Sequence, residues 1–290
     1  MERIPNSELV INPDGSVYHL RLKPGQIAHT IITVGDQDRV ERVSRHFESI
    51  EVSVQKREFK THTGIYKGKR LTVVSTGIGT DNIDIVFNEL DALVNIDFKS
   101  RTINTKFTEL SFVRIGTSGA IQSEIPTGSF LVSEKAVGFD SLLRFYGNTD
   151  FLDESFSEAL VAHLQWNPKN SVPYVVSASE ELMELFHSEE FRKGITATNV
   201  GFYGPQGRRL RLALADEQMN VKLQSFRYEG RSIDNMEMET SAMYGMAILM
   251  GHKAISLNAI LANRASGSFS ENPREMVDRL IKRTLDLLVL

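Results

Sequence analysis

Short apolar runs rich in β-branched residues alternate along this chain with stretches of helical periodicity. The runs at 30–34, 71–75, 112–115, 129–132 and 254–261 are brief, and several end in glycine or a hydroxyl residue. That pattern predicts buried strands of an α/β sheet. The periodic stretches predict helices over 38–47, 81–94, 207–220, 240–250 and 273–288. In the last, Asn272 can cap, Pro273 suits the first turn, and Met276, Val277, Leu280, Ile281 and Leu285 form one apolar stripe. The helix over 240–250 is apolar on nearly every side and stops at Gly251, so it is expected inside the molecule.

No repeat, low-complexity tract or Gly/Ser linker interrupts the 290 residues. A single α/β domain over 1–290 is expected, with the more polar and aromatic segment 141–170 as an elaboration at its surface. Composition then removes several function classes. A formal net charge of −4 offers no basic face, so nucleic acid is not an expected partner. The seven histidines are scattered, without an HxH, HExxH or Cys/His cluster, and no metal site is expected. With no cysteine there are no disulfides or thiol nucleophiles, which fits a reducing compartment. The opening MERIPNSELVINPDG has no apolar core, and no later stretch approaches the length of a bilayer span. A cytoplasmic protein without a membrane partner is the expectation.

Several short stretches carry chemistry. In Thr33-Val-Gly-Asp-Gln-Asp-Arg39, Gly35 lets the backbone approach a ligand, the next helix offers free N–H groups to an anion, and Arg39 could add a bidentate contact. Asp36 or Asp38 could equally be an ordinary helix cap there. Ser75-Thr-Gly-Ile-Gly-Thr-Asp81 begins like a dinucleotide fingerprint, but Asn82 stands where the third glycine should fall. It remains open between a packing turn and an anion or sugar site. Arg114, inside an apolar strand, is costly to bury unless it meets an anion; Gly116, Thr117, Ser118 and Gly119 follow at the strand's end, where ligands of α/β sheets gather.

Gly201-Phe-Tyr-Gly-Pro-Gln-Gly-Arg208 reads as a loop displaying aromatic, amide and guanidinium groups. Phe202 can stack on a heterocycle, Gln206 matches an imide edge, and Arg208 suits a carbonyl. In Asn235-Met-Glu-Met-Glu-Thr240, extended geometry would send Glu237 and Glu239 to one side and Met236 and Met238 to the other. Two adjacent carboxylates need donors, such as sugar hydroxyls or an arginine, or else they cap the helix that follows.

These motifs occur in an order that resembles one family. VYHLRL at 17–22, VGDQDRV at 34–40, KREF at 56–59, STGIG at 75–79, RIGTSGAIQ at 114–122, FYGPQGR at 202–208, MEMET at 236–240 and NRA at 263–265 resemble the uridine phosphorylases of the nucleoside phosphorylase-I family. The likeness is weakest over 97–111 and 141–195. It implies a mixed, strongly twisted central sheet flanked by helices, and a homodimer that often assembles into a hexamer. It also implies that Gly35, Arg39, Arg114 and Thr117 hold phosphate, joined by Arg57 from a neighbouring subunit. Glu237, Met238 and Glu239 would hold ribose, with His19 of a neighbour at the 5′-hydroxyl. Phe202, Gln206, Arg208 and Arg264 would hold uracil.

The implied reaction is phosphorolysis of uridine, extending to deoxyuridine or thymidine, in pyrimidine salvage. Arg114, Gln206, Arg208 and Glu239 would be the catalytic groups, with no cofactor and inorganic phosphate as co-substrate. In purine-specific members an Asp follows the last long strand, whereas this chain reads Leu261-Ala-Asn-Arg264. Two departures stand out: VGDQDR replaces the usual PGDPDR, and FYGPQGR replaces FYPGQ. The alternatives are a purine nucleoside phosphorylase or nucleosidase of the same superfamily, or a nucleoside-binding protein without turnover.

Overall fold

A computed structural model describes residues 2–290. Its first half runs β1 (Thr30–Val34), α1 (Gln37–Ser44), β2 (Ser49–Lys56), β3 (Phe59–Tyr66), β4 (Lys69–Ser75), α2 (Thr80–Asn95), β5 (Ile96–Asp97), β6 (Thr102–Ile103), β7 (Ser111–Ala120) and β8 (Phe130–Gly138). The second half runs α3 (Glu154–Leu164), β9 (Tyr174–Ser177), α4 (Glu180–Leu185), β10 (Phe191–Thr198), α5 (Met219–Ser225), β11 (Ile233–Glu237), α6 (Thr240–Leu249), β12 (Lys253–Asn263), β13 (Ser268–Phe269) and α7 (Pro273–Leu287).

The hub of the sheet is β7. It lies parallel to β1, with Arg114 opposite Thr33, and parallel to β12, with Arg114 opposite Ser256. Its far end pairs antiparallel with β11 through Gly119 and Ala120. Strand β12 also pairs with β8, β8 with β10, and β10 with β11. Strands β7, β12, β8, β10 and β11 therefore close into a ring, while β1, β4, β3 and β2 extend from β7 as an open arm. Register shifts at Ile260/Ala262, Gly194/Ile195 and Ile195/Thr196 supply the bends that closure needs. The expected mixed α/β sheet flanked by helices is thus present, with a closed portion that apolar patterning did not announce.

Apolar layers cover the sheet. α2 and α6 bury Val86, Phe87, Met243 and Met246 with Phe112, and α1 and α7 bury Val40, Val43, Leu280 and Ile281 with Val113 and Ile255. The all-apolar character of α6 follows from its burial, and Gly251 ends it with a φ of 75° that a side chain would resist. Asn272 occupies the cap position of α7 but its side chain makes no capping bond. Within 141–170, α3 buries Phe156, Leu160 and Leu164 against Val137, Val175 and Ile195.

The expected helix over 207–220 does not exist. Residues 207–218 are turns and irregular chain, and α5 begins at Met219. Leu210, Leu212 and Leu214 recur every second residue with arginines among them, so no single helical face could be buried; Leu210 and Leu212 stay exposed. Strands β2, β3, β9, β10 and β11 were not expected. β10 (FRKGITAT) and β11 (IDNME) carry polar residues at positions where buried strands are normally apolar. β7 runs on to Ala120 because GTSGA, which reads as a turn, keeps its place in the ladder. Among the described residues no helix is long and apolar enough to cross a membrane, and no cluster of His, Asp and Glu could hold a metal ion.

Candidate active site

Arg114 is buried partway along β7, between Thr33 of β1 and Ser256 of β12. Its Nη2 donates to Glu239 Oε2 at 2.5 Å and lies 3.2 Å from Glu237 Oε2. Its Nη1 donates to Asn258 Oδ1 at 3.0 Å and approaches Ser256 Oγ at 3.4 Å. Burial alone would weaken the guanidinium's hold on its proton, but Glu237 and Glu239 outweigh it and its pKa is raised. The side chain folds back over Gly116: a Cβ there would sit 1.8 Å from Nη1, so the guanidinium keeps this place only beside glycine.

The two glutamates divide their work. Glu237 ends β11, and its carboxylate accepts from the N–H groups of Glu239 and Thr240 at 2.9 and 3.0 Å and from Thr198 Oγ1 at 2.7 Å. It therefore caps α6, whose N-terminal dipole favours a negative charge. Glu239 occupies the N-cap position but turns its carboxylate away, accepting from Gly79 N at 2.8 Å as well as from Arg114. Burial raises the Glu239 pKa, while Arg114 opposes the shift. Both carboxylates reach one guanidinium, although β11 ends at Glu237 and Glu239 has left the extended conformation, with φ −136° and ψ −29°; Met236 packs in a separate apolar cluster. Met238 is half-buried between them.

Arg39, in the first turns of α1, approaches the same place. Its Nη1 donates to Ile115 O at 3.2 Å, and its buried Nε has no partner among the described residues. Burial, then the neighbouring Arg114 charge, lowers its pKa to about 10. A buried cationic donor beside a second arginine can serve an anion, whose charge would offset both. Asp36 caps α1 by accepting from Asp38 N, so that alternative for the VGDQDR turn also holds. Gly35 lies against the Gly77 carbonyl, and Thr117 is half-buried on β7.

The 201–208 loop forms a second group. Gln206 is buried, and its Oε1 accepts from Arg208 Nη1 at 2.6 Å. The Arg208 guanidinium lies 3.8 Å from the centroid of the Phe202 ring and also donates to Phe202 O. Gly207 has a φ of 66°, and a Cβ there would press on Asn220. Arg264 reaches this loop from the end of β12, its Nη2 3.5 Å from Gly207 O, with its buried Nη1 unpartnered. Burial, then Arg264, lowers the Arg208 pKa to about 10. Two arginines thus lie close enough to repel, and among the described residues neither forms an ion pair with a carboxylate.

His19 and Arg57 do not join either group. His19 Nδ1 is 2.7 Å from Glu89 Oε1 on α2, and its ring stands edge-on to Phe59. Arg57 is exposed at the β2–β3 turn with a φ of 53°; its carbonyl accepts from Gln37, and its guanidinium meets no carboxylate among the described residues. A cavity of about 870 Å³ opens beside the Arg114 cluster, lined by Thr80, Asp140, Leu142, Asn199 and Pro205 among others. It adjoins the site through Asn199 N, which donates to Glu237 O, but none of the arginines lines it. Sequence reasoning passed over Thr198, Ser256, Asn258 and Glu89, and left open the 75–81 turn, whose Gly79 N–H meets Glu239. The polar Ser256 and Asn258, two apart in the otherwise apolar AISLNAIL, were the available signal for side chains turned to the same inner face.

A family model described as the phosphorylase superfamily matches residues 29–289. A uridine phosphorylase of Thermococcus kodakarensis is 28% identical over 93% of this chain and 86% of its own length. A DeoD-type purine nucleoside phosphorylase of Alkaliphilus metalliredigens is 27% identical over 93% of this chain and 98% of its own. Among solved structures, a Trypanosoma brucei nucleoside phosphorylase, described as showing uridine phosphorylase activity, superposes with a TM-score of 0.86 at 28% identity. That match covers 97% of this chain and 99% of the other.

Proposed function

The chain belongs to the phosphorylase superfamily, and on that premise we propose that it cleaves uridine with inorganic phosphate to uracil and ribose 1-phosphate. The observation that carries the phosphate half is the unmatched Arg39 Nε beside the buried Arg114, ready for an anion. Phosphate held there, with Gly35 and Thr117 at its edge, is both the nucleophile for C1′ and the counter-charge to an oxocarbenium-like sugar. Glu239 accepts from the ribose hydroxyls, Met238 packs under the ring, and Glu237 holds the N-terminus of α6 in register.

As the C1′–N1 bond breaks, its electron pair passes to the uracil ring. Gln206, Arg208 and Arg264 supply donors for the charge that reaches the carbonyl oxygens, and uracil then takes its proton from water. The run Leu261-Ala-Asn-Arg264 carries no acid to protonate a purine nitrogen, which favours the pyrimidine reading over the purine reading of the DeoD-type relatives. Arg208 covers the face of Phe202 and donates to Gln206 Oε1. Base binding therefore requires Arg208 to swing from the ring face to the base edge. The reading needs no cofactor. It also makes His19 and Arg57 the groups that a second subunit lends, in a cytoplasmic homodimer or larger assembly; both lie apart from the chain's own arginine cluster.

The test is incubation with uridine, with and without phosphate, following uracil and ribose 1-phosphate by chromatography. Uracil release that does not depend on phosphate would overturn phosphorolysis, and a preference for inosine over uridine would overturn the pyrimidine assignment.

A further inference from the structure

The ring of β7, β12, β8, β10 and β11 is polar inside. Asn258 Nδ2 on β12 donates to Ser133 Oγ on β8 at 3.3 Å, and Ser133 Oγ lies 2.5 Å from Thr196 Oγ1 on β10. Thr196 Oγ1 donates to Asn235 Oδ1 on β11 at 2.8 Å, and Asn235 Nδ2 donates to Ser118 Oγ on β7 at 2.8 Å. Each strand of the ring supplies one side chain, and all are buried. The bonds share one sense. The Thr196 hydrogen is committed to Asn235, so the hydrogen between Ser133 and Thr196 comes from Ser133, whose oxygen then accepts from Asn258. This fixes the Asn258 amide with Oδ1 toward Arg114 Nη1, because the flipped amide would set its own N–H groups against the guanidinium.

A buried polar run contributes little to stability compared with apolar packing, and it holds together only when every member is bonded. Its value is orientation. We propose that Asn258 is a positioning residue for phosphate: it fixes the plane of the Arg114 guanidinium, and the run of hydrogen bonds around the ring fixes Asn258. The inference rests on the reading above that Arg114 holds phosphate. With Nη1 tied to Asn258 and Nη2 to the two glutamates, the guanidinium is oriented before phosphate arrives.

Asn258→Leu keeps the branched shape and removes the acceptor. It should raise the KM for phosphate roughly tenfold or more, as expected for a lost bond to a charged group, and leave the KM for uridine within about twofold. Thr196→Val, an isosteric change two links away, should move the phosphate KM the same way by less. Titration of inorganic phosphate into each protein by calorimetry reads the same difference without turnover. A folded Asn258→Leu protein with unchanged phosphate affinity, or with both KM values raised alike, overturns the proposal. If Asn258→Leu does not fold, Thr196→Val decides: unchanged phosphate affinity in that variant overturns it equally. Phosphate-independent uracil release by the wild type would instead sink phosphorolysis, and the calorimetric comparison would still stand.

Discussion

Gly116→Ala displaces the Arg114 guanidinium without altering any polar atom. Gly116 does not have a positive φ, so alanine meets no backbone strain there. The new methyl would nevertheless lie 1.8 Å from Arg114 Nη1 and 2.5 Å from its Cζ, against an ordinary contact distance beginning at 3.4 Å. The guanidinium must therefore withdraw by about 1.6 Å, more than the 1 Å misplacement that can by itself slow an enzyme ~100-fold. That movement breaks its 3.0 Å bond to Asn258 and its 2.5 Å bond to Glu239. Losing a preorganised donor lowers turnover by about 10²–10³-fold. Steady-state phosphorolysis of uridine over a range of phosphate concentrations measures it, with calorimetric unfolding to establish that the variant is folded. Because the buried Glu237 and Glu239 lose part of their counter-charge, the melting temperature should fall too. A folded Gly116→Ala protein with wild-type kcat and phosphate KM would refute the placement of Arg114 in the phosphate site.

Glu239→Gln should lower uridine turnover by roughly 100-fold while the capping by Glu237 keeps the protein folded, and rates equal to wild type would return Glu239 to a structural role. Phe202→Leu removes the ring face now covered by Arg208; the uridine KM should rise roughly tenfold with the phosphate KM unchanged, and a change in both would mean that the loop supports the whole site. Asp286 is held well below the usual carboxylate value of 3.8 by Lys282, Lys67 and Tyr66. A depressed carboxylate stabilises the fold above its unfolded value and loses that contribution as pH falls through the folded one. The melting temperature of Asp286→Asn should therefore lie below wild type at neutral pH, the gap closing as pH drops below 3.8; a gap independent of pH would exclude the ion pairs as its source.

The sequence by itself determined more of the site than of the sheet. Arg114 betrayed itself as a charge inside an apolar strand, and Glu237 and Glu239 as adjacent carboxylates at a buried helix, because local pattern alone makes such residues expensive without partners. A one-sided apolar stripe likewise marked α7, and an apolar run on nearly every side marked α6 as buried, because both patterns are continuous in the chain. Tertiary structure decided the rest. β10 and β11 are strands although FRKGITAT and IDNME look polar, since their Thr196 and Asn235 are bonded across a closed ring that no local window contains. The helix expected over 207–220 gave way to a loop, because helical propensity without a buried stripe earns no packing. The division between Glu237 as cap and Glu239 as the acid facing Arg114 was likewise invisible from spacing. It depends on where Gly79 N–H, Thr198 Oγ1 and the first turn of α6 come to rest, and those groups come from segments far apart in the chain that only the folded sheet brings together.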